Sequence, residues 1–156
     1  MSKSLCPFCG YPTGCDSFYV DKTREFYRCG RCALIYVPLV YHLSREDEKV
    51  EYDKHQNSPE DAGYRKFLSR IYNPVHERVK IGSKGLDFGS GPGPTLSRMF
   101  EEAGYIVNIY DPFYAPDRTS LTQRYDFITA SEVLEHCHNP SDDLDLLWGL
   151  LKPGGC

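Results

Sequence analysis

Three groups of residues in this chain have types and spacings that could do chemistry. The first is a pair of Cys-x-x-Cys turns, Cys6/Cys9 and Cys29/Cys32. Two such turns bring four thiolates to the corners of a tetrahedron, the donor set and geometry of structural zinc. A thioredoxin-type redox site would need one such pair at a strand-to-helix junction, and neither pair has that setting. The strands between them are too short to build a core, so zinc would stand in for hydrophobic burial. Cys15 fits neither turn and reads as an unliganded neighbour, and Cys137 and Cys156 read as ordinary cysteines rather than nucleophiles. The second group is Leu86-Asp87-Phe88-Gly89-Ser90-Gly91-Pro92-Gly93, an apolar strand running into a glycine turn with Pro94 at the start of a helix. Glycines let such a turn be tight and let a ligand approach the backbone. The next strand, Tyr105–Tyr110, ends in Asp111, where an acidic side chain reaches the ribose hydroxyls of a nucleotide lying across the sheet edge. NAD and S-adenosylmethionine both suit that geometry.

The third group is Glu132, Glu135 and His136, at i, i+3 and i+4. On a helical turn that spacing puts all three on one face. Three roles fit: a divalent ion such as Mg held against an acceptor's hydroxyls, a pocket in which His136 serves as general base beside Glu135, or a purely structural turn. His138, before Asn139-Pro140, reads as a solvated turn residue.

The elements that must position these groups differ in texture along the chain. Residues 1–42 are rich in Cys, Gly, Pro and aromatics, with short β-type runs over 16–20 and 34–37, and read as a zinc ribbon. Residues 43–82 are strongly charged and read as a helical arm. Ser44/Asp47 and Ser58/Asp61 have capping-box spacing, and Pro59 suits a first helical turn. Tyr64, Phe67, Leu68 and Ile71 form one apolar stripe, while Tyr52, His55, Tyr64 and Tyr72 are candidates to cover a ligand. From residue 83 strand and helix alternate: strand 85–88, helix 94–103, strand 105–110, strand 126–130, helix 141–151. That alternation predicts an α/β fold with a parallel, Rossmann-like sheet.

Composition narrows the function classes. A net charge of −4 gives no basic footprint over the whole chain, which disfavours nucleic acid as the partner. The start, MSKSLCPFCG, has no apolar signal-peptide core, and no run of about 18 apolar residues occurs, so the expectation is a cytoplasmic protein with no membrane partner. Seven cysteines, four of them in paired turns, favour metal over disulfides in a reducing compartment.

LDFGSGPG, the strand ending at Asp111, YDFITASEVLEH and LLKPGG together resemble the ordered motifs of class I S-adenosylmethionine-dependent methyltransferases over residues 85–155. A ribbon ending in RCGRCALIYVP and followed by a helical arm is similar to bacterial methyltransferases with an N-terminal zinc-binding segment. The resemblance implies S-adenosylmethionine as cofactor. Gly89, Gly91 and Gly93 would cradle its methionine and ribose parts, with Ser90 in the same loop and Asp87 supporting it. Asp111 would bind the ribose diol, and Ser131 and Glu132 would line the cofactor and acceptor side. Glu-x-x-Glu-His resembles the string that ubiquinone-pathway and small-RNA 2′-O-methyltransferases use to hold a metal, though related methyltransferases carry it without one.

The sequence departs from that family in two places. Residues 112–124 are too short for a helix plus a third strand, leaving Asp117 as the only acidic candidate for adenine. The sequence stops at Lys152-Pro153-Gly154-Gly155-Cys156, where the family begins its fifth strand, so the strand over 126–130 is expected to present an open apolar edge with Phe127 and Ile128 on it. A small-molecule methyl acceptor fits best. An RNA acceptor docked by Lys22, Arg24, Arg28 and Arg31, or a non-catalytic ribbon adaptor, are the rivals.

Overall fold

A computed structural model describes residues 5–12, 17–54 and 58–156, so Cys15 and His55 lie outside the described residues. An antiparallel ribbon is built from β1 (Tyr19–Val20), β2 (Glu25–Arg28) and β3 (Ile35–Tyr36), with β2 in the middle. The central strand was not anticipated, because its EFYR sequence carries charge at both ends. After a short 3-10 turn at Leu39–Tyr41 come α1 (Arg45–Tyr52) and α2 (Ala62–His76). Ser44 caps α1, its hydroxyl accepting from the Asp47 amide at 3.1 Å. The cap of α2 is Asp61, which accepts from the Gly63 and Tyr64 amides at 2.7 and 3.0 Å. Ser58 is therefore not the cap, and its hydroxyl pairs with Glu60 instead.

The sheet domain follows with β4 (Lys84–Phe88), α3 (Thr95–Glu102), β5 (Ile106–Tyr110), β6 (Phe127–Thr129) and α4 (Pro140–Leu150). Its three strands are parallel in the order β5-β4-β6, so the first strand in sequence is central. A 3-10 turn at Arg118–Thr122, capped by Asp117 through the Thr119 amide at 2.9 Å, takes the place of a helix and third strand. Asp117 is a capping residue there, outside the cavity wall described below.

Strand alternation divides the core into two layers. Leu68 of α2 joins Leu96, Met99 and Phe100 of α3, with Tyr105 and Phe127, on one face of the sheet. Leu86, Phe88 and Tyr125 pack with Leu147 and Leu150 of α4 on the other. Phe100 and Phe127 lie 4.8 Å apart between ring centroids, and both are fully buried. Burial of each contributes about 1.5–3 kcal/mol. A Cβ on Gly85 would come within 2.2 Å of the Phe127 ring, so glycine is what lets that ring lie flat on the strand.

The expectation of an open edge at the end of the chain is corrected. The outer side of β6 is paired, with the Ile128 amide donating to the Cys156 carbonyl at 2.8 Å and the Cys156 amide to the Asp126 carbonyl at 3.1 Å. Phe127 turns inward, because strand alternation assigns it to the α3 face. On α4 the apolar stripe is Leu146, Leu147 and Leu150, whereas Trp148 is 76% exposed.

Candidate functional site

At the C-terminal end of β4 the chain turns through Gly89 (φ 71°) and Gly91 (φ 65°), both left-handed. The two glycines serve different ends. A Cβ on Gly89 would lie 2.4 Å from a Val133 methyl, so this position is needed for close packing of the loop after β6. Gly91 has nothing within 4 Å of where its Cβ would be, and it lines an open cavity. Between them the Ser90 hydroxyl oxygen is buried without a hydrogen-bond partner. Gly93 stands apart from the cavity wall, and its carbonyl accepts the Thr95 amide at 2.6 Å as α3 begins.

Asp111 joins the two strand-end loops. Its Oδ2 accepts the Gly91 amide at 2.9 Å, and its Oδ1 accepts the amides of Phe113 and Tyr114 at 2.8 and 3.0 Å. Asp87 lies beneath the loop, fully enclosed, with its Oδ1 accepting the Thr129 hydroxyl at 2.9 Å. Burial pushes the Asp87 carboxyl up to about 7, and the nearby Asp111 charge adds to the rise, against the hydrogen bonds from Thr129 and the Ser97 amide.

Beside this loop lies a cavity of about 280 Å³ whose wall includes Gly89, Gly91, Asp111, Glu132, His136 and Tyr52. Helix α1 closes one side of it. Arg45 donates to the Pro112 carbonyl at 3.2 Å and lies over the Phe113 ring, and the Tyr114 hydroxyl donates to Asp53 at 2.5 Å. Burial, then the Asp53 hydrogen bond, pushes the Tyr114 phenol up to about 12. Tyr52 packs against Phe113 at 6.0 Å and edge-on to His136 at 5.4 Å, and burial with the Glu48 charge raises its phenol. Of the covering candidates among the described residues, Tyr52 is in this wall and Tyr64 and Tyr72 are not. Tyr72 packs into the core against Phe100, 4.8 Å away. Phe88, Tyr110 and Phe113 also line the cavity and were missed; the aromatic placed directly after Asp111-Pro112 was the available signal.

Glu132, Glu135 and His136 do not share a face. Glu132 takes a left-handed backbone (φ 54°), and the following turn, Leu134–His136, is a three-residue 3-10 segment rather than an α-helix. Glu132 and His136 face the cavity, whereas Glu135 faces two neighbouring hollows on the ribbon side. Among the described residues these three do not converge as a metal-ligand set. Ser131 is absent from the cavity wall. His138 is not a free turn residue: it lines the cavity and packs edge-on against His42 at 5.1 Å. Burial, with Asp143 nearby, pushes the Cys137 thiol up to about 12, which suits a wall residue and not a nucleophile.

The ribbon gathers its cysteines as their spacing predicts. All four sulfurs lie within 4.8 Å of one another, with Cys6 to Cys32 at 3.7 Å and Cys9 to Cys29 at 3.5 Å. A tetrahedral ion with bonds of about 2.3 Å needs sulfurs about 3.8 Å apart, so the donor set fits zinc. The two turns repeat each other. The Gly10 amide donates to the Cys6 carbonyl and the Ala33 amide to the Cys29 carbonyl, both at 3.0 Å. Each turn then leaves through a left-handed residue, Gly10 at φ 66° and Ala33 at φ 62°. The amides of Cys32 and Arg31 point at the Cys29 sulfur and lower its thiol to about 6.

A family model described as a methyltransferase domain matches residues 53–156. A ubiquinone biosynthesis O-methyltransferase of Shewanella halifaxensis is 33% identical over 79 residues, covering 49% of this chain and 34% of that protein. Proteins of the same name match at 31% over 78 residues in Shewanella pealeana, and at 33% over 78 residues in Proteus mirabilis. These cover 50% of this chain in each case, and 33% and 32% of the relatives. The chain thus spans about a third of the length of the curated relatives it matches.

Proposed function

The chain belongs to the methyltransferase-domain family, and on that premise we propose that it transfers a methyl group from S-adenosylmethionine to a hydroxyl oxygen of a small molecule, with one structural zinc in its ribbon. The observation that carries this reading is the meeting of the Gly91 amide and the Asp111 carboxylate at a cavity beyond the C-terminal ends of two parallel strands. The residues fit the cofactor on the chain's own evidence. Gly91 leaves open space where a side chain would intrude on the cavity.

When bound, S-adenosylmethionine supplies a methyl carbon already activated by the sulfonium charge, so the protein's task is mostly alignment. Asp111 offers its remaining lone pairs to the ribose hydroxyls while holding both loops in place. Tyr52 and Phe113 cover the cavity from the α1 side. His136, in the same wall, would hold the acceptor's hydroxyl and take its proton on a ring nitrogen. The relatives' name supports an oxygen nucleophile on a small molecule. Cys6, Cys9, Cys29 and Cys32 hold the zinc.

Calorimetric titration of the chain with S-adenosylmethionine and with NAD tests the reading, alongside metal analysis of protein purified without added zinc. Saturable binding of S-adenosylmethionine and about one equivalent of zinc are expected. NAD binding tighter than S-adenosylmethionine would overturn the first part. Four freely titratable thiols with no metal would overturn the second.

A further inference from the structure

Between the ribbon and the start of α4 lies a second cavity of about 600 Å³. Its walls are mostly apolar, with Phe8, Phe26 and Ile35 from the ribbon and Leu134, Pro140 and Leu144 from the sheet domain, and Arg24, His42 and Glu135 at its polar side. Phe8 and Ile35 are half exposed despite lining it, and Leu144 turns to this space while Leu147 and Leu150 enter the core. Water in such a space finds few partners, and its size falls in the range of about 300–1,000 Å³ typical of small-molecule sites.

The space adjoins the donor cavity. Cys137 is common to both walls. A third hollow of about 350 Å³ bridges them, sharing Glu48, Tyr52, His136 and His138 with the donor cavity and Arg24, Val37, His42 and Glu135 with the ribbon cavity. Polar and titratable groups are thus concentrated beside the donor, and apolar groups at the far end. The family match begins at residue 53, so the ribbon wall is a feature of this chain outside the matched domain.

We propose that the ribbon forms one wall of the methyl-acceptor site, and that the acceptor is a hydroxylated small molecule whose apolar body lies between the ribbon and α4. Its hydroxyl sits in the histidine-lined hollow near His136, and its body displaces water from between Phe26 and Leu144. This inference rests on the methyltransferase reading for the identity of the occupant, while the cavity itself does not. Glu135 then faces the acceptor and not the cofactor, which accounts for its separation from Glu132.

The test uses 1-naphthol, a hydroxyl on an apolar ring system, titrated by its fluorescence into the zinc-loaded chain with S-adenosylhomocysteine present. Leu144→Arg and Ile35→Arg place a charge in the cavity from opposite walls. Each is expected to weaken naphthol binding about tenfold or more, a loss of about 1.4 kcal/mol, with S-adenosylmethionine affinity held within about twofold. Leu144→Arg leaves the ribbon sequence intact, so the outcome does not depend on whether the ribbon tolerates Ile35→Arg. Absence of saturable naphthol binding to the wild-type chain, or its retention in both variants, overturns the inference. A wild-type chain that binds naphthol in this cavity but not S-adenosylmethionine would overturn the methyltransferase reading alone.

Discussion

Replacing Asp111 tests whether its carboxylate is a ligand for the cofactor, a strut for the fold, or both. The side chain is 6% exposed and accepts three backbone amides, from Gly91, Phe113 and Tyr114. Hydrogen bonds to a charged group contribute about 1.5–3 kcal/mol each, but the Gly91 amide borders the cavity and regains water when the carboxylate is gone. Asp111→Ala is therefore expected to destabilise the chain by about 3–5 kcal/mol, beyond any loss of cofactor binding. Asp111→Asn keeps an oxygen for Phe113 and Tyr114 and turns its amide group toward the Gly91 amide, losing one bond and costing about 1.5–3 kcal/mol. Urea unfolding of the zinc-loaded protein measures both, with S-adenosylmethionine titration run in parallel. An Ala variant within about 1 kcal/mol of wild type would show that the three amides do not depend on this carboxylate. Undiminished cofactor binding in the Asn variant would show that the Asp111 loop is not the ribose site.

Two further outcomes follow from single residues. Asp87, pushed up to about 7 in the folded chain, holds a proton that the unfolded chain releases near 3.8. Its stabilising contribution is thus complete below about pH 4 and is lost as pH rises through 7, an effect on the order of 4 kcal/mol at most. Asp87→Asn, which keeps the acceptor for Thr129, should flatten the fall in stability between pH 5 and pH 8 seen in urea midpoints; equal slopes for both proteins would contradict the burial argument. Ala33 holds the left-handed position that glycine fills in the matching turn. Ala33→Gly should therefore stabilise the ribbon by about 0.5–1 kcal/mol and slow zinc loss to a chelator, and faster loss would refute the equivalence of the two turns.

The parts of the molecule that were legible in the sequence are those specified by neighbouring residues. The run from Leu86 through the glycine turn to Asp111 reads correctly because strand, turn and helix each leave a local signature. The cysteine site reads correctly because two short turns fix four sulfurs almost regardless of what lies between. The Glu132–His136 face was misjudged because α-helical spacing was assumed where the backbone turns left-handed at Glu132 and then continues as a 3-10 segment. Packing beside Gly89 sets that path, and no residue within the segment announces it. Tyr52 meeting Phe113 and Asp53 meeting Tyr114 are contacts between distant parts of the chain, decided by how α1 lies on the sheet. The ribbon cavity likewise depends on two modules facing each other.

The place of α2 bears on any attempt to dissect the protein. Its Leu68 is sealed into the layer formed by Phe100, Tyr105 and Phe127, and Arg65 is paired with Glu102 of α3. Division at the composition boundary near residue 83 would strip a wall from that layer and leave aromatic rings facing solvent, a surface prone to clumping. A fragment meant to carry the sheet alone has to begin upstream of the Asp61 cap, so that the helix it initiates can still form. Because α1 closes one side of the cavity beside Asp111, an exchange that leaves this cavity unaltered has to be confined to the ribbon ahead of the Ser44 cap.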